Sequence, residues 1–293
     1  MKLHEIGQAV RELGTAFTPE QIASTRALYV PRALRPEGVD AVVSRDLQYG
    51  PDPRHRLDIF APRTATLARP VVLFIHGGGF VQGDKGNAED PFFNNVGAWA
   101  VRSGFVGVTM TYHLAPEHAW PSGAADVDRA MEWLRTHIGA HGGEARHIVP
   151  MGHSAGAAHV AGYLAGHGGD AGRYASGAIF LSGIFALDTY AGPYDYQVYF
   201  GSDRRLDAAR STVAALANLR IPSLFTISEF DPPPFHRHLS AVFAARVVAQ
   251  ECCPEVLWQR NHNHVSVVMQ LGSDVDSAGT PLAEFIRQRC TGG

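Results

Sequence analysis

The stretch GHSAG, residues 152–156, sets one serine between a histidine and an alanine, with a glycine two places away on each side. A serine hydroxyl becomes a nucleophile toward a carbonyl carbon once a neighbouring base takes its proton. The apolar run RHIVP before it and the helix-like SAGAAHVAGYLAG after it put Ser154 on a strand-to-helix turn. A turn that sharp presses the positions two before and two after the serine against neighbouring backbone, which explains Gly152 and Gly156. Upstream, FIHGGGF ends another apolar run with Gly77, Gly78 and Gly79. In a binding protein they form only a turn; in a reaction site they leave N–H groups open to a developing oxyanion. The Ala155 N–H, at the helix start and favoured by the helix dipole, is a third donor.

These residues need a frame. PVVLFI, FVGVTM, RHIVPM, AIFL, SLFTIS and EVLWQ are short, nearly continuous apolar runs, the pattern of parallel strands covered on both faces. Helix-like stretches such as PSGAADVDRAMEWLRTHIG, PPFHRHLSAVFAARVVAQ and TPLAEFIRQRC lie between them or close the chain. The alternation predicts an α/β fold, a doubly wound and mostly parallel sheet. DAVVSRDLQYG and HRLDIFAP alternate instead, with turn residues between, and read as an antiparallel pair at the start of that sheet. Ahead of them LHEIGQAVREL and TPEQIASTRALY predict two short helices, the second capped by Thr18 with Pro19 at its first position. Residues 1–38 are therefore expected to form a small helical cap and residues 39–293 the catalytic domain. Residues 186–212 interrupt the alternation and are the expected insertion over the site.

At 293 residues, 45% hydrophobic and 18% charged with a formal net charge of −3, the chain has ordinary globular composition and no basic surplus for nucleic acid or an acidic membrane. Its three cysteines, two of them adjacent, make no disulfide framework. No apolar run reaches the roughly 18 residues of a span, and charged residues interrupt the first segment. A cytoplasmic protein with a small-molecule partner is the expectation. Fifteen histidines, including the pairs His137/His141, His236/His238 and His262/His264, are scattered without a cysteine or carboxylate cluster at ligand spacing, so neither a metal nor an organic cofactor is called for.

HGGGF, YHLAPEHAWPSGAADV and GHSAG, in this order, resemble the α/β-hydrolase serine esterases, specifically the hormone-sensitive-lipase-like carboxylesterases and the related kynurenine formamidases. The resemblance runs from LDIFAP to the end of the chain. It implies an oxyanion hole from Gly78, Gly79 and Ala155, and a chain order of nucleophile, acid, then histidine. SLFTISEFD ends a strand at Asp231, the implied acid. The family's Asn-His-x-Ser pattern falls on Asn263, His264 and Ser266, which makes His264 the implied base and His262 the fallback. Phe80 and His153, beside the glycines and the serine, are expected at the substrate. Pairing of two subunits through an edge element is common in the family, so a homodimer is an expected assembly.

The reading is thus a serine carboxylesterase acting on a small to medium acyl ester. Formamide cleavage is the alternative, since GHSAG and NHVS fit the formamidases while the third glycine and Phe80 depart from them. A ligand-binding protein on the same fold is a third reading, disfavoured because serine, acid and histidine are all present. Glu229, two residues before Asp231, reads as a solvated strand-end residue, Trp120 as a loop-setting one and Cys252 and Cys253 as packing. Of the tyrosines 190, 194, 196 and 199, most read as core or insertion structure.

Overall fold

Alternate residues of a strand face opposite ways, so a run with no polar alternation needs cover on both sides. In the computed structural model, which describes residues 3–64, 67–187 and 196–290, that is how the apolar runs are used. They form β3 (Arg69–Ile75), β4 (Val106–Met110), β5 (Gly143–His153), β6 (Ala178–Leu181), β7 (Ser223–Phe230) and β8 (Glu255–Asn263). Val71, Leu73 and Ile75 point into one apolar core while Val72 and Phe74 point into the other, and on β6 Phe180 and Leu181 divide the same way.

β1 (Ala41–Gln48) and β2 (Arg56–Pro62) pair antiparallel, and β2 also runs antiparallel to β4; the remaining pairings are parallel. The sheet order is β1-β2-β4-β3-β5-β6-β7-β8. This is the α/β-hydrolase fold. Helices α4 (Ser122–His137) and α5 (Ala155–Leu164) contribute side chains to one core, and α3 (Pro91–Arg102) and the C-terminal helix Gly279–Cys290 contribute to the other.

The chain winds to one side from β3 to β4 and to the other from β5 onward. The carboxyl ends of β3 and β5 therefore flank the switch in strand order, where open α/β sheets hold their ligands. The glycine turn follows β3 and Ser154 follows β5.

Helix α3 is not evident from sequence periodicity, for a physical reason. Phe, Asn and Gly are weak helix formers, and its stability comes from packing. A Cβ at Gly97 would collide with the Phe60 ring, and Asn95 donates to the carbonyls of Val268 and Leu271.

Ahead of the sheet lie α1 (Leu3–Leu13) and α2 (Pro19–Tyr29), where Thr18 Oγ1 accepts the Gln21 N–H at 3.2 Å as an N-cap. α1 lies against β8, and Ile6, Val10 and Tyr29 form a separate apolar cluster with Phe92, Met269 and Val275. In the expected insertion, the described part forms short helices at Gln197–Phe200 and Asp207–Arg210; Tyr190 and Tyr194 lie outside the described residues. Among those residues, no helix is long and apolar enough to cross a membrane.

Candidate active site

The turn between β5 and α5 holds Ser154 at φ 55°, ψ −118°, a backbone conformation that L-residues rarely adopt. Its N–H still donates to the Leu181 carbonyl (2.9 Å), extending the sheet, while its own carbonyl accepts from Ala157 and Ala158 as the helix begins. The glycines around it answer to close approach. A Cβ at Gly156 would lie 2.1 Å from the Ile75 carbonyl oxygen and 2.5 Å from that of His76; one at Gly152 would lie 2.4 Å from the Gly156 oxygen. Both contacts are with backbone, which cannot rotate away. Gly156→Ala is accordingly expected to destabilise the protein by roughly 3 kcal/mol or more, measured as a lowered urea midpoint; an unchanged midpoint would show that the β3 end yields freely.

Three side chains far apart in sequence meet here. Ser154 Oγ lies 2.9 Å from His264 Nε2, and His264 Nδ1 lies 2.7 Å from Asp231 Oδ1. The second oxygen of Asp231 accepts from Ser182 Oγ and from the Ser228 N–H, both at 2.6 Å. A carboxylate satisfied this way favours a proton on His264 Nδ1, which leaves the Nε2 lone pair for the serine O–H. All three residues are buried, so their interactions are little weakened by solvent.

The Asn-His-x-Ser pattern has a local explanation. Asn263 Oδ1 accepts the Ser266 N–H (3.1 Å), Ser266 Oγ accepts the Asn263 N–H (2.9 Å), and Asn263 Nδ2 donates to Thr25 Oγ1 (2.8 Å) on α2. The loop presenting His264 is thus pinned both internally and to the N-terminal segment. His262 bonds Tyr29, Ser277 and the same Ser266 hydroxyl, and so supports this loop from behind. Glu229 accepts the Asn261 N–H (2.8 Å) and pairs with Arg11 (3.5 Å), away from His264.

Two expected substrate contacts are placed elsewhere. Phe80 has φ 71° and no exposed surface, and its ring stacks on Tyr199 with centroids 4.5 Å apart and packs on Phe200 and His159. The turn after the glycines directs this side chain into an apolar cluster beneath the site. His153 is also buried, with Nε2 2.7 Å from the backbone carbonyl of His264. Burial, reinforced by the neighbouring His264 ring, pushes it down to about 3, so it donates from a neutral ring and supports the histidine loop.

Gly78 (φ 136°) and Gly79 (φ 60°) form a tight turn in which the Gly78 carbonyl accepts from Val81 and Gln82. Both glycines and Ser154 line a cleft of about 460 Å³. Phe17, Pro19 and Ile22 of the N-terminal segment form one wall, and Ile184, Tyr196, Val198 and Phe235 another. Phe17 and Phe235 also touch the His264 ring, at centroid distances of 4.7 and 4.0 Å. Ala155 is the first residue of α5, where the opening N–H groups have no carbonyl within the helix. The arrangement brings together a serine hydroxyl, an imidazole fixed by a carboxylate, a glycine turn and an apolar cleft.

Sequence reading missed Ser182 and the aromatic walls. Ser182 was within reach, because it directly follows β6 at the same sheet edge; Phe17 becomes a neighbour of His264 only through the fold. The histidine pairs noted in the sequence join no group of three metal-ligating side chains among the described residues, whereas Asp52, His55, His113, His118 and Asp126, spread over 75 positions, come together beyond β4.

Residues 57–177 match a family described as BD-FAE. The chain is 29% identical over 165 residues to esterase LipC of Mycobacterium tuberculosis (56% of this chain, 34% of that protein). It is 33% identical over 123 residues to probable carboxylesterase 13 of Arabidopsis thaliana (39% of this chain, 36% of that protein). The chain thus spans about a third of the length of these curated relatives. The crystal structure of esterase B from Lactobacillus rhamnosis superposes with a TM-score of 0.73 over 98% of this chain and 95% of that one, at 18% identity, a likeness of fold. By its fold the chain is an α/β-hydrolase, and over part of its length it is similar to proteins named esterase and carboxylesterase.

Proposed function

We propose that the protein is a serine carboxylesterase in which Ser154 is the nucleophile, His264 the general base and acid, and Asp231 the residue that orients it. The observation that carries this is the continuous hydrogen-bonded chain from Ser154 through His264 to Asp231, opening on a cleft that Gly78 and Gly79 also line. Relatives named as esterase and carboxylesterase support the same reading.

Attack of Oγ on the ester carbonyl passes its proton to His264 Nε2 while the carbonyl oxygen becomes an oxyanion. The N–H groups of Gly78, Gly79 and Ala155 receive that charge, aided by the dipole of α5. His264 then returns the proton to the departing alkoxide, leaving the acyl group on Ser154. Water, deprotonated by the same imidazole, attacks the acyl-enzyme, and its collapse releases the acid and restores the serine. Residues 1–38 act as a cap: Phe17, Pro19 and Ile22 close one side of the cleft and Thr25 braces the histidine loop. The apolar walls favour small to medium acyl groups.

The test is a pair of initial rates, for p-nitrophenyl acetate and for N-formylkynurenine, with Ser154→Ala as the blank. The carboxylesterase predicts ester turnover that disappears in the variant and far slower formamide cleavage. The opposite preference would assign the protein to the formamidases. Serine-dependent turnover of neither, with no labelling of Ser154 by an organophosphonate, would overturn the catalytic reading.

A further inference from the structure

We propose that Asp52, His113 and His118 form a binding site for one divalent transition-metal ion of the zinc type, separate from the ester-cleaving machinery. Asp52 lies in the turn between β1 and β2; His113 and His118 lie in the segment that follows β4. Their ligand atoms fall within 4.8 Å of one another. Asp52 Oδ2 and His113 Nε2 are 3.2 Å apart, close to the roughly 3.3 Å edge of a tetrahedron with zinc bonds of about 2.0–2.1 Å. His118 is exposed, and its ring lies against that of His113 with centroids 3.9 Å apart, so rotation of one side chain completes the set. Two imidazoles, a carboxylate and a water suit such an ion.

The groups behind these three strengthen the case. Asp126 is buried and accepts from His55 Nε2 (2.9 Å) and from the His113 N–H (2.8 Å), and it lies 3.0 Å from His113 Nδ1. His55 Nδ1 accepts the Asp52 N–H at 3.2 Å, which places the His55 proton on Nε2. A carboxylate on Nδ1 of a histidine whose Nε2 faces outward is the usual support of a metal-bound imidazole. The other oxygen of Asp52 is held by the Arg54 N–H (2.7 Å), leaving Oδ2 as its ligand atom. The Arg54 guanidinium is engaged elsewhere, donating to the carbonyls of Tyr112 and Gly83.

Both His113 nitrogens face carboxylate oxygens, Nε2 that of Asp52 and Nδ1 that of Asp126. The bound ion would clip the β1–β2 turn to a segment that also braces the glycine turn, through Tyr112 Oη to the His76 carbonyl (2.8 Å) and the Ala115 N–H to the Phe80 carbonyl (2.9 Å). None of its three ligands lines the catalytic cleft.

The experiment is calorimetric titration of the EDTA-treated, dialysed protein with zinc chloride. Expected are one equivalent bound and a melting temperature raised by about 5 °C at zinc a hundredfold above Kd. His118→Ala and Asp52→Asn should each weaken binding by at least about 30-fold, and His137→Ala should leave it unchanged. The exposed position of His118 keeps its variant folded, which a circular dichroism melt verifies. Absence of stoichiometric binding overturns the proposal. So does binding that survives His118→Ala and disappears in His264→Ala, which places the ion at the proposed catalytic histidine.

Discussion

Ser154→Ala and His264→Ala, made separately, are each expected to lower kcat for p-nitrophenyl acetate by about 10⁴- to 10⁶-fold, and the double variant by little more. The non-additivity follows from the geometry. In the proposed mechanism one proton moves between Ser154 Oγ and His264 Nε2, 2.9 Å apart, and removing either end removes the same step. Asp231→Asn should cost about 10⁴-fold, because an amide nitrogen facing Nδ1 favours the tautomer that presents Nε2–H to the serine. Ser182 and Ser228 hold the residue in place in either form. Glu229→Gln touches neither the histidine nor the cleft and should leave kcat within about twofold. Replacing His262 removes hydrogen bonds to Tyr29, Ser266 and Ser277 and should lower stability with comparatively little effect on chemistry. Single-turnover rates on the purified variants, with melting temperatures beside them, separate these cases. A His264 variant that retained activity while the His262 variant lost it would move the base by two residues.

Acid should unfold the protein over a narrow range below pH 6.5. Burial pushes His76, His238 and His262 down to about 4, and His153 and His159 down to about 3, from an ordinary value of 6.5. Above pH 6.5 these rings are neutral in both folded and unfolded chains and contribute no pH dependence. Below it the unfolded chain takes up protons that the folded one refuses, so each histidine removes about 1.4 kcal/mol of stability per pH unit until its folded value is reached. At pH 5.5 the five together remove roughly 7 kcal/mol, comparable with the whole stability of an ordinary domain, about 5–15 kcal/mol. Urea midpoints measured from pH 8 to pH 5 should be level at first and then fall steeply. Substituting the buried His159 by an apolar ring should reduce the slope by one proton. A midpoint independent of pH down to 5 would mean that water or relaxation reaches these rings and that they are not held neutral.

The sequence by itself determined the frame and the turns at Ser154 and His264. Uninterrupted apolar runs require cover on both faces, so β3 through β7 and the helices over them other than α3 follow from local pattern. Gly152 and Gly156 follow from the turn between β5 and α5, and Asn263 and Ser266 from the turn presenting His264, because a turn's chemistry is confined to a few neighbouring residues. Ser154, Asp231 and His264 each follow a strand on one sheet edge, so motif order and the family resemblance could propose them, and the structure brings them within hydrogen-bond reach. Only the tertiary structure decided where the side chains beside them point. Phe80 looks like a cleft residue beside HGGG, yet its φ of 71° and the Tyr199 ring draw it inward. His153 adjoins the serine in sequence but braces the loop of His264, 111 positions away. Helix α3 owes its form to Phe60 and to the carbonyls of Val268 and Leu271 rather than to propensity. The cleft walls at Phe17 and Phe235, and the meeting of Asp52 with His113 and His118, arise the same way. Each is a contact between segments far apart in the chain, and such contacts leave no period or spacing in the sequence because they are made by packing.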